Sequence, residues 1–272
     1  MNRIISLTNR YIIIATPLLL FTFFVSIYSF VIMRSSNLLG ILFALILIIL
    51  MTGAFCAGWG NMIKSAVSEK NYDEPYQIIK DFIPGVGEYF LSVTASIGIL
   101  GIINILVLAL TYFAGINLIG DIGITSEALT RALASNEALK AFLISLDSTQ
   151  LLKLNMWNFL ILSVMSVMYF VMMFYPSAVF LESKNPLKAL AVSVKKIFSR
   201  KFMKALGFYL LIFVINFAIS ISSALFAGNN IMSFLMTLIN FYFICCVSIG
   251  IFYFYKINLT DSHLGNSIDT YI

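Results

Sequence analysis

Between Arg34 and Lys64 the chain carries no Asp, Glu, Lys, Arg or His, and the same blank recurs over 89–120, 154–181 and 205–255. An Asp, Lys or Arg at the centre of a spanning helix costs roughly 2.5 to 3.5 kcal/mol on insertion scales, while each Leu, Ile or Phe returns about 0.3 to 0.6. Stretches this long and this empty of charge read as helices that cross a bilayer. The overall balance agrees: 61% of the residues are hydrophobic and 11% charged, against roughly 25% charged in an average soluble domain.

The expected fold is therefore all-α: a polytopic transmembrane bundle of about six spans with amphipathic interfacial helices. It forms a single membrane domain over 1–257, followed by a polar tail over 258–272. Spans are expected at about 11–33, 38–59, 89–113, 154–181, 205–227 and 231–255, each near the roughly 20 residues that a bilayer core requires. The first has an apolar run longer than the about 7 to 15 residues of a signal peptide, and no small-x-small cleavage site follows it, so it reads as an uncleaved span. The second ends in Gly53, Ala54, Cys56, Ala57, Gly58 and Gly60, small residues that let a neighbouring helix approach, with Trp59 at headgroup depth. Thr94, Ser96, Gly98, Gly101 and Asn104 suggest a second close-packing face on the third. Pro176 predicts a kink near the end of the fourth, and Gly228-Asn229-Asn230 turns the fifth back as a hairpin with the sixth.

The connections are patterned too. Asp73, Glu74 and Pro75 open a short interfacial helix that the Pro84-Gly85 pair is expected to close. Over 115–153, Leu129, Leu133, Leu139, Phe142 and Leu143 recur at near-helical spacing, with Thr125, Ser126 and Ser135 as candidate caps for one broken or two short helices. Asn185 as cap and Pro186 at the first helical position start a third amphipathic helix. Its expected apolar face is Leu187, Leu190, Val194, Ile197 and Phe198. Lys188, Lys195, Lys196, Arg200, Lys201 and Lys204 form a candidate surface for anionic lipid headgroups or a protein partner.

Placing both termini in the cytoplasm leaves only Arg34, Arg131, Lys140 and Lys153 of the 17 basic residues outside. The positive-inside rule selects that orientation. With the basic residues flanking apolar segments, the net charge of +5 is read as lipid-directed, and no nucleic-acid partner is expected. A faint repeat also pairs Phe90 with Phe202 and Ile102-Ile103-Asn104 with Val214-Ile215-Asn216, each about 112 residues apart. It would relate two units of span, amphipathic helix and span.

Chemistry is sparse. The spans offer no acid, base or nucleophile that titrates near neutrality, and neither catalytic nor metal-binding residues nor a cofactor is expected. Cys56, Cys245 and Cys246 have no metal-ligand spacing and read as packing residues. The single histidine, His263, lies in the tail with only Asp261 and Asp269 nearby. Glu69, Asp73, Glu74 and Asp81 alternate with Lys64, Lys70 and Lys80 and read as a solvated surface. The candidate polar intramembrane residues are Asn104, Asn216 and Asn240. They can line a substrate path or bond between helices, the latter worth about 0.6 kcal/mol each on average.

An Asn-Pro opening at Asn185-Pro186, a Glu-Pro opening at Glu74-Pro75, and the stretch Lys188-Ala189-Leu190-Ala191-Val192-Ser193 running into a basic end resemble a loose group of bacterial six-span proteins. That group includes the YciC-like proteins and the membrane domain that precedes some glycerophosphodiester phosphodiesterases. The likeness covers roughly 53–255 in layout. It implies a six-span architecture in a bacterial plasma membrane and carries no enzymatic activity onto these residues. The functional expectation is a non-enzymatic envelope or export accessory acting through lipid or partner contacts. The alternative is a transporter or permease subunit for an apolar or amphipathic solute.

Overall fold

The computed structural model describes residues 2–32, 38–68, 70, 72, 74–132, 134–199, 201–226 and 228–259. Arg34, Glu69, Asp73, Leu133, Arg200 and the tail from 260 on, with His263, lie outside the described residues. Within them the regular structure is helical. It runs α1 (Asn2–Arg10), a 3-10 turn (Ile12–Ile14), α2 (Ala15–Ile32), α3 (Leu38–Val67), a 3-10 segment (Pro75–Asp81), α4 (Phe82–Leu118), α5 (Ser126–Ala132) and α6 (Asn136–Ser145). It continues with α7 (Ser148–Met172), α8 (Tyr175–Leu181), α9 (Pro186–Ile197), α10 (Phe202–Leu225), α11 (Asn230–Phe254) and a π-helical turn (Tyr255–Leu259). Six helical segments are long and apolar enough to cross a membrane. The protein is thus a multi-pass, all-helical membrane protein.

The chain packs as two compact units, one made of Met1–Ile99 with Val171–Ile272 and the other of Leu100–Phe170. In the first unit α3 packs along α2 and α11, α1 lies on α11, α8 lies against α3, and α9 docks on α8. The largest fully buried side chains gather where α3 and α11 end: Tyr11, Ile14, Met62, Ile63, Ile78, Phe174, Tyr175, Ile197, Ile249 and Tyr255. Aromatic rings fill the centre of this end. Phe254 stacks on both Phe174 and Phe208, with ring centroids 5.4 and 4.7 Å apart.

Long-range hydrogen bonds tie the same end together. Trp59 Nε1–H donates to the Ile14 carbonyl at 2.9 Å, and Lys256 Nζ donates to the Val67 carbonyl at 3.1 Å. The second bond caps the C-terminus of α3 with a cation, where the helix dipole favours one. Farther along the spans, Phe23, Phe43 and Phe234 are 62%, 68% and 63% exposed, surfaces that a bilayer would cover.

The small-residue cluster on α3 does what its composition predicts. Gly60 leaves room for the Phe180 ring of α8, and Gly85 of α4 lies directly on Asn61 and Ala57, so a Cβ at either glycine would collide. The second small-residue face does not behave that way throughout: Gly98 and Gly101 face open space. The Pro84-Gly85 pair is not a breaker either, because α4 runs straight through it. Pro84 sits in the first helical turn, where its missing N–H has no intrahelical partner to lose. Pro176 does mark a break. The helix of the fourth span is interrupted at Met173 and Phe174, and α8 restarts with Pro176 in its first turn.

In the second unit two short helices stand where leucine spacing predicts them. Ser135 Oγ accepts from Ala138 N at 3.0 Å to cap α6, and Thr125 Oγ1 accepts from Ala128 N at 3.3 Å to cap α5. Asp147 and Gln150 form a reciprocal capping box at the start of α7, with bonds of 2.7 and 3.3 Å. The Trp157 ring fills the space beside Gly115, and its Nε1–H donates to the Gly120 carbonyl at 3.2 Å.

Candidate functional site

The last two turns of α3 carry Asn61, Lys64 and Ser65, with Ser68 just beyond, a polar stripe at helical spacing at the end of a helix that is otherwise apolar. It faces the junction of the 3-10 segment with α4, where Asp81 is 8% exposed. Burying a carboxylate is costly unless donors surround it, and here they do. Ser65 Oγ–H and Tyr72 O–H both donate to Asp81 Oδ2. Lys70 Nζ donates to its two oxygens at 3.0 and 3.2 Å, and Asn61 Nδ2 holds the Asp81 carbonyl at 2.8 Å. The Tyr72 hydroxyl is pushed up to about 12, first by burial and then by donating to Asp81. Asp81 is therefore a buried structural anion and not part of a solvated surface. Its donors come from two segments, the end of α3 and the connection after it, which fold together around the carboxylate. Glu74 and Lys80 of the same connection are exposed, as a solvated surface requires.

Above this network lies a cavity of about 450 Å³, lined by Asn61, Lys64, Ser65, Ser68, Lys70, Asp81, Pro84 and Glu88. Lys64 Nζ donates to Tyr89 Oη at 2.6 Å and stands 5.1 Å from the centre of the Tyr89 ring. Lys184 approaches the same ring to 5.3 Å and pairs with Glu88 at 2.9 Å. The pairing raises the Lys184 pKa through its hydrogen bond to Glu88. The sequence signal for this site was the polar stripe interrupting the end of an apolar span.

The basic helix is less uniform than its sequence. Asn185 Oδ1 caps α9 by accepting from Lys188 N at 3.1 Å, with Pro186 next in the chain. The face packed inward is Ala189, Ser193 and Ile197. Of the apolar face expected from the sequence, only Ile197 is buried, while Leu187 and Phe198 are 65% and 60% exposed. Small residues win the buried face because α8 lies close, offering Ser177 and Ala178, both fully buried. Lys188, Lys195 and Lys204 are exposed and Lys201 is half-buried. Lys196 turns inward instead: it pairs with Glu182 and stands over the Tyr255 ring at 5.2 Å. Its charge braces α9 against α8 and is not offered to a headgroup.

The three intramembrane asparagines are distributed differently. Asn104, in the second unit, donates from Nδ2 to the Leu100 carbonyl of its own helix at 2.8 Å. In the first unit Asn216 is exposed on α10 and Asn240 half-buried on α11. Many span hydroxyls use the same device as Asn104. Thr22, Ser26, Thr52 and Ser96 each donate to the carbonyl four residues back at 2.7 to 2.8 Å, the internal satisfaction that lipid demands. Among the described residues, no three His, Cys, Asp or Glu side chains converge as a metal site.

A second cavity of about 450 Å³ is almost wholly apolar. It runs between α1, α10 and α11, from Ile4 and Ile5 past Phe208 and Ile215 to Ile219 and Ile239. Helix α1, which precedes the expected first span, lines one end and is held by Tyr242 O–H donating to Asn9 Oδ1 at 2.7 Å. Its pattern of Ile4, Leu7, Thr8 and Tyr11 is helical, but nine residues of helix give too short a window to separate from a flank. No family model, curated protein or solved structure matches this chain.

Proposed function

We propose that the protein is a non-enzymatic membrane accessory that works at the lipid–water boundary, through the surface formed by α9 and the polar end of α3. The observation that carries this reading is the construction of that end of the first unit. Its core is plugged by Phe174, Phe208, Phe254 and Tyr255, while exposed Lys188, Lys195 and Lys204 share α9 and the start of α10 with outward-facing Leu187, Phe198 and Met203. Apolar side chains beside free ammonium groups suit a helix lying flat in headgroups, its alkyl and aromatic parts in lipid and its charge toward phosphate. The positive-inside bias supports a cytoplasmic setting for this end, and the resemblance to YciC-like proteins supports a bacterial plasma membrane.

The apolar groove along α10 and α11 favours a second reading, passage of an amphipathic solute. A scrambling assay in proteoliposomes with a fluorescent phospholipid separates the two. The accessory reading expects the outer-leaflet fraction bleached by a membrane-impermeant reductant to match that of protein-free vesicles. Bleaching that proceeds to the inner-leaflet pool would replace it with the transport reading. In the same vesicles, changing Lys188, Lys195, Lys201 and Lys204 together to Gln is expected to abolish the enrichment of anionic lipid around the protein.

A further inference from the structure

We propose that the cavity at the end of α3 is a binding site for a phosphate group, held by the Lys64 ammonium. Charge pairing within the cavity singles out this residue. Asp81 is engaged by Ser65, Tyr72 and Lys70, and Glu88 forms its ion pair with Lys184 at 2.9 Å. Lys64 is left facing a neutral hydroxyl and a ring face, those of Tyr89. Among the described residues it forms no ion pair, and it reaches Glu88 only as a longer-range charge. Among the described residues this half-buried ammonium has no carboxylate partner, and it opens into a polar cavity of about 450 Å³. That volume lies within the range of roughly 300 to 1,000 Å³ common for small-ligand sites.

The surroundings select phosphate. One helical turn beyond Lys64, the exposed Ser68 hydroxyl makes no hydrogen bond among the described residues, leaving a neutral donor beside the cation. Lys70 lines the same cavity and is 57% exposed at its side chain, so its ammonium retains one donor beyond the two given to Asp81. An ammonium binds phosphate as a point charge and needs no planar match. Trp59 lies five residues earlier on α3, about 7 Å along the axis, and marks headgroup depth. At that depth the phosphate of a lipid can enter from the side, and a soluble phosphate ester can enter from water. The site lies at the polar end of α3 that the accessory reading invokes and rests on that reading, but no α9 lysine lines it, so its failure and the failure of the α9 surface are distinguishable.

Native mass spectrometry of the full chain in mild detergent tests it, with phosphatidylglycerol, a diacylglycerol of the same acyl chains, and glycerol 3-phosphate as probes. Wild type is expected to retain phosphatidylglycerol and not diacylglycerol. Lys64→Gln is expected to weaken retention about tenfold or more, the worth of a hydrogen bond to a charged group, and Lys64→Arg is expected to preserve it. Because Lys64→Gln also frees Tyr89 and can perturb folding, exposed Ser68→Glu serves as the second variant. It puts an anion in the cavity and is expected to abolish the retention that depends on Lys64, while Lys140→Gln at an exposed position of α6 leaves it unchanged. Glycerol 3-phosphate binding with the same Lys64 dependence would identify a soluble ester as the source and sustain the site. Equal retention by wild type and Ser68→Glu, or equal retention of diacylglycerol, would overturn it.

Discussion

On α3, Met62 and Ile63 are almost completely buried, whereas Phe43 and Ile46 of the same helix are 68% and 58% exposed. All four side chains are large and apolar. What changes is the solvent expected around them. Where the first unit is packed, burial comes from protein: Phe180 against Gly60, Gly85 against Asn61 and Ala57, and rings stacked on Phe174. Toward the other ends of α2, α3, α10 and α11, burial must come from lipid. Lipid tails are as apolar as Leu, so nothing drives those side chains together. The first unit gathers its largest fully buried side chains at one end, where Trp59 and Lys256 also bond across elements, and that end holds the polar cavity and the basic helix.

If this contrast is right, equivalent substitutions at the two ends must behave differently. The largest effect is expected for Phe174→Ala, which removes a fully buried ring from the aromatic stack and should cost about 3 to 5 kcal/mol. Phe234→Ala, at a 63% exposed position, should stay within about 0.5 kcal/mol of wild type. Thermal unfolding of both variants in one detergent measures the difference, and similar losses would break the comparison.

Next comes Asp81→Ala, which strands the Ser65 and Tyr72 hydroxyls and the Lys70 ammonium. Those orphaned donors should cost about 2 to 4 kcal/mol. Asn216→Leu, at an exposed intramembrane position, should leave the melting temperature unchanged or raise it, since it relieves lipid of an amide. A melting temperature that falls as far for Asn216→Leu as for Asp81→Ala would restore a structural role for that asparagine.

The smallest effect concerns pH. Because the Tyr72 pKa rises from 10.0 to about 12 on folding, the unfolded chain gives up this proton first. The resulting stabilisation is whole below about pH 10 and is lost as pH climbs toward 12. Solvent screening at this partly exposed hydroxyl keeps the contribution below about 1 kcal/mol. Tyr72→Phe should therefore lose less stability than wild type across that interval, measured as a difference in melting temperature. A parallel decline in the two proteins would remove Tyr72 from the network.

How much of this was legible beforehand follows the same division. The spans were legible because excluding charge is a local requirement, met residue by residue. The caps were legible for a similar reason: Asn185, Ser135 and Thr125 act within a single turn. Asp81 was not, since its burial depends on Ser65, Lys70 and Tyr72 arriving from elsewhere, and a carboxylate flanked by lysines looks solvated. Continuity through Pro84 was missed because a proline that stops a helix in its interior is harmless in its first turn. The inward turn of Lys196 depends on Glu182 and Tyr255, one in the preceding connection and one at the far end of α11. Local chemistry showed where the membrane must be, while the candidate site rests on contacts that only the folded chain brings together.

The contrast between the ends can be measured directly with spin labels placed singly at Ser68, Phe198, Phe213 and Phe234, in a background lacking Cys56, Cys245 and Cys246, after reconstitution into vesicles. Collision with oxygen reports lipid and collision with a water-soluble nickel complex reports solvent. Phe213 and Phe234 are expected to see oxygen and exclude nickel, Ser68 to see nickel, and Phe198 to fall between them at headgroup depth. Nickel access at Phe213 or Phe234, or full burial of Phe198 at mid-membrane, would contradict the account.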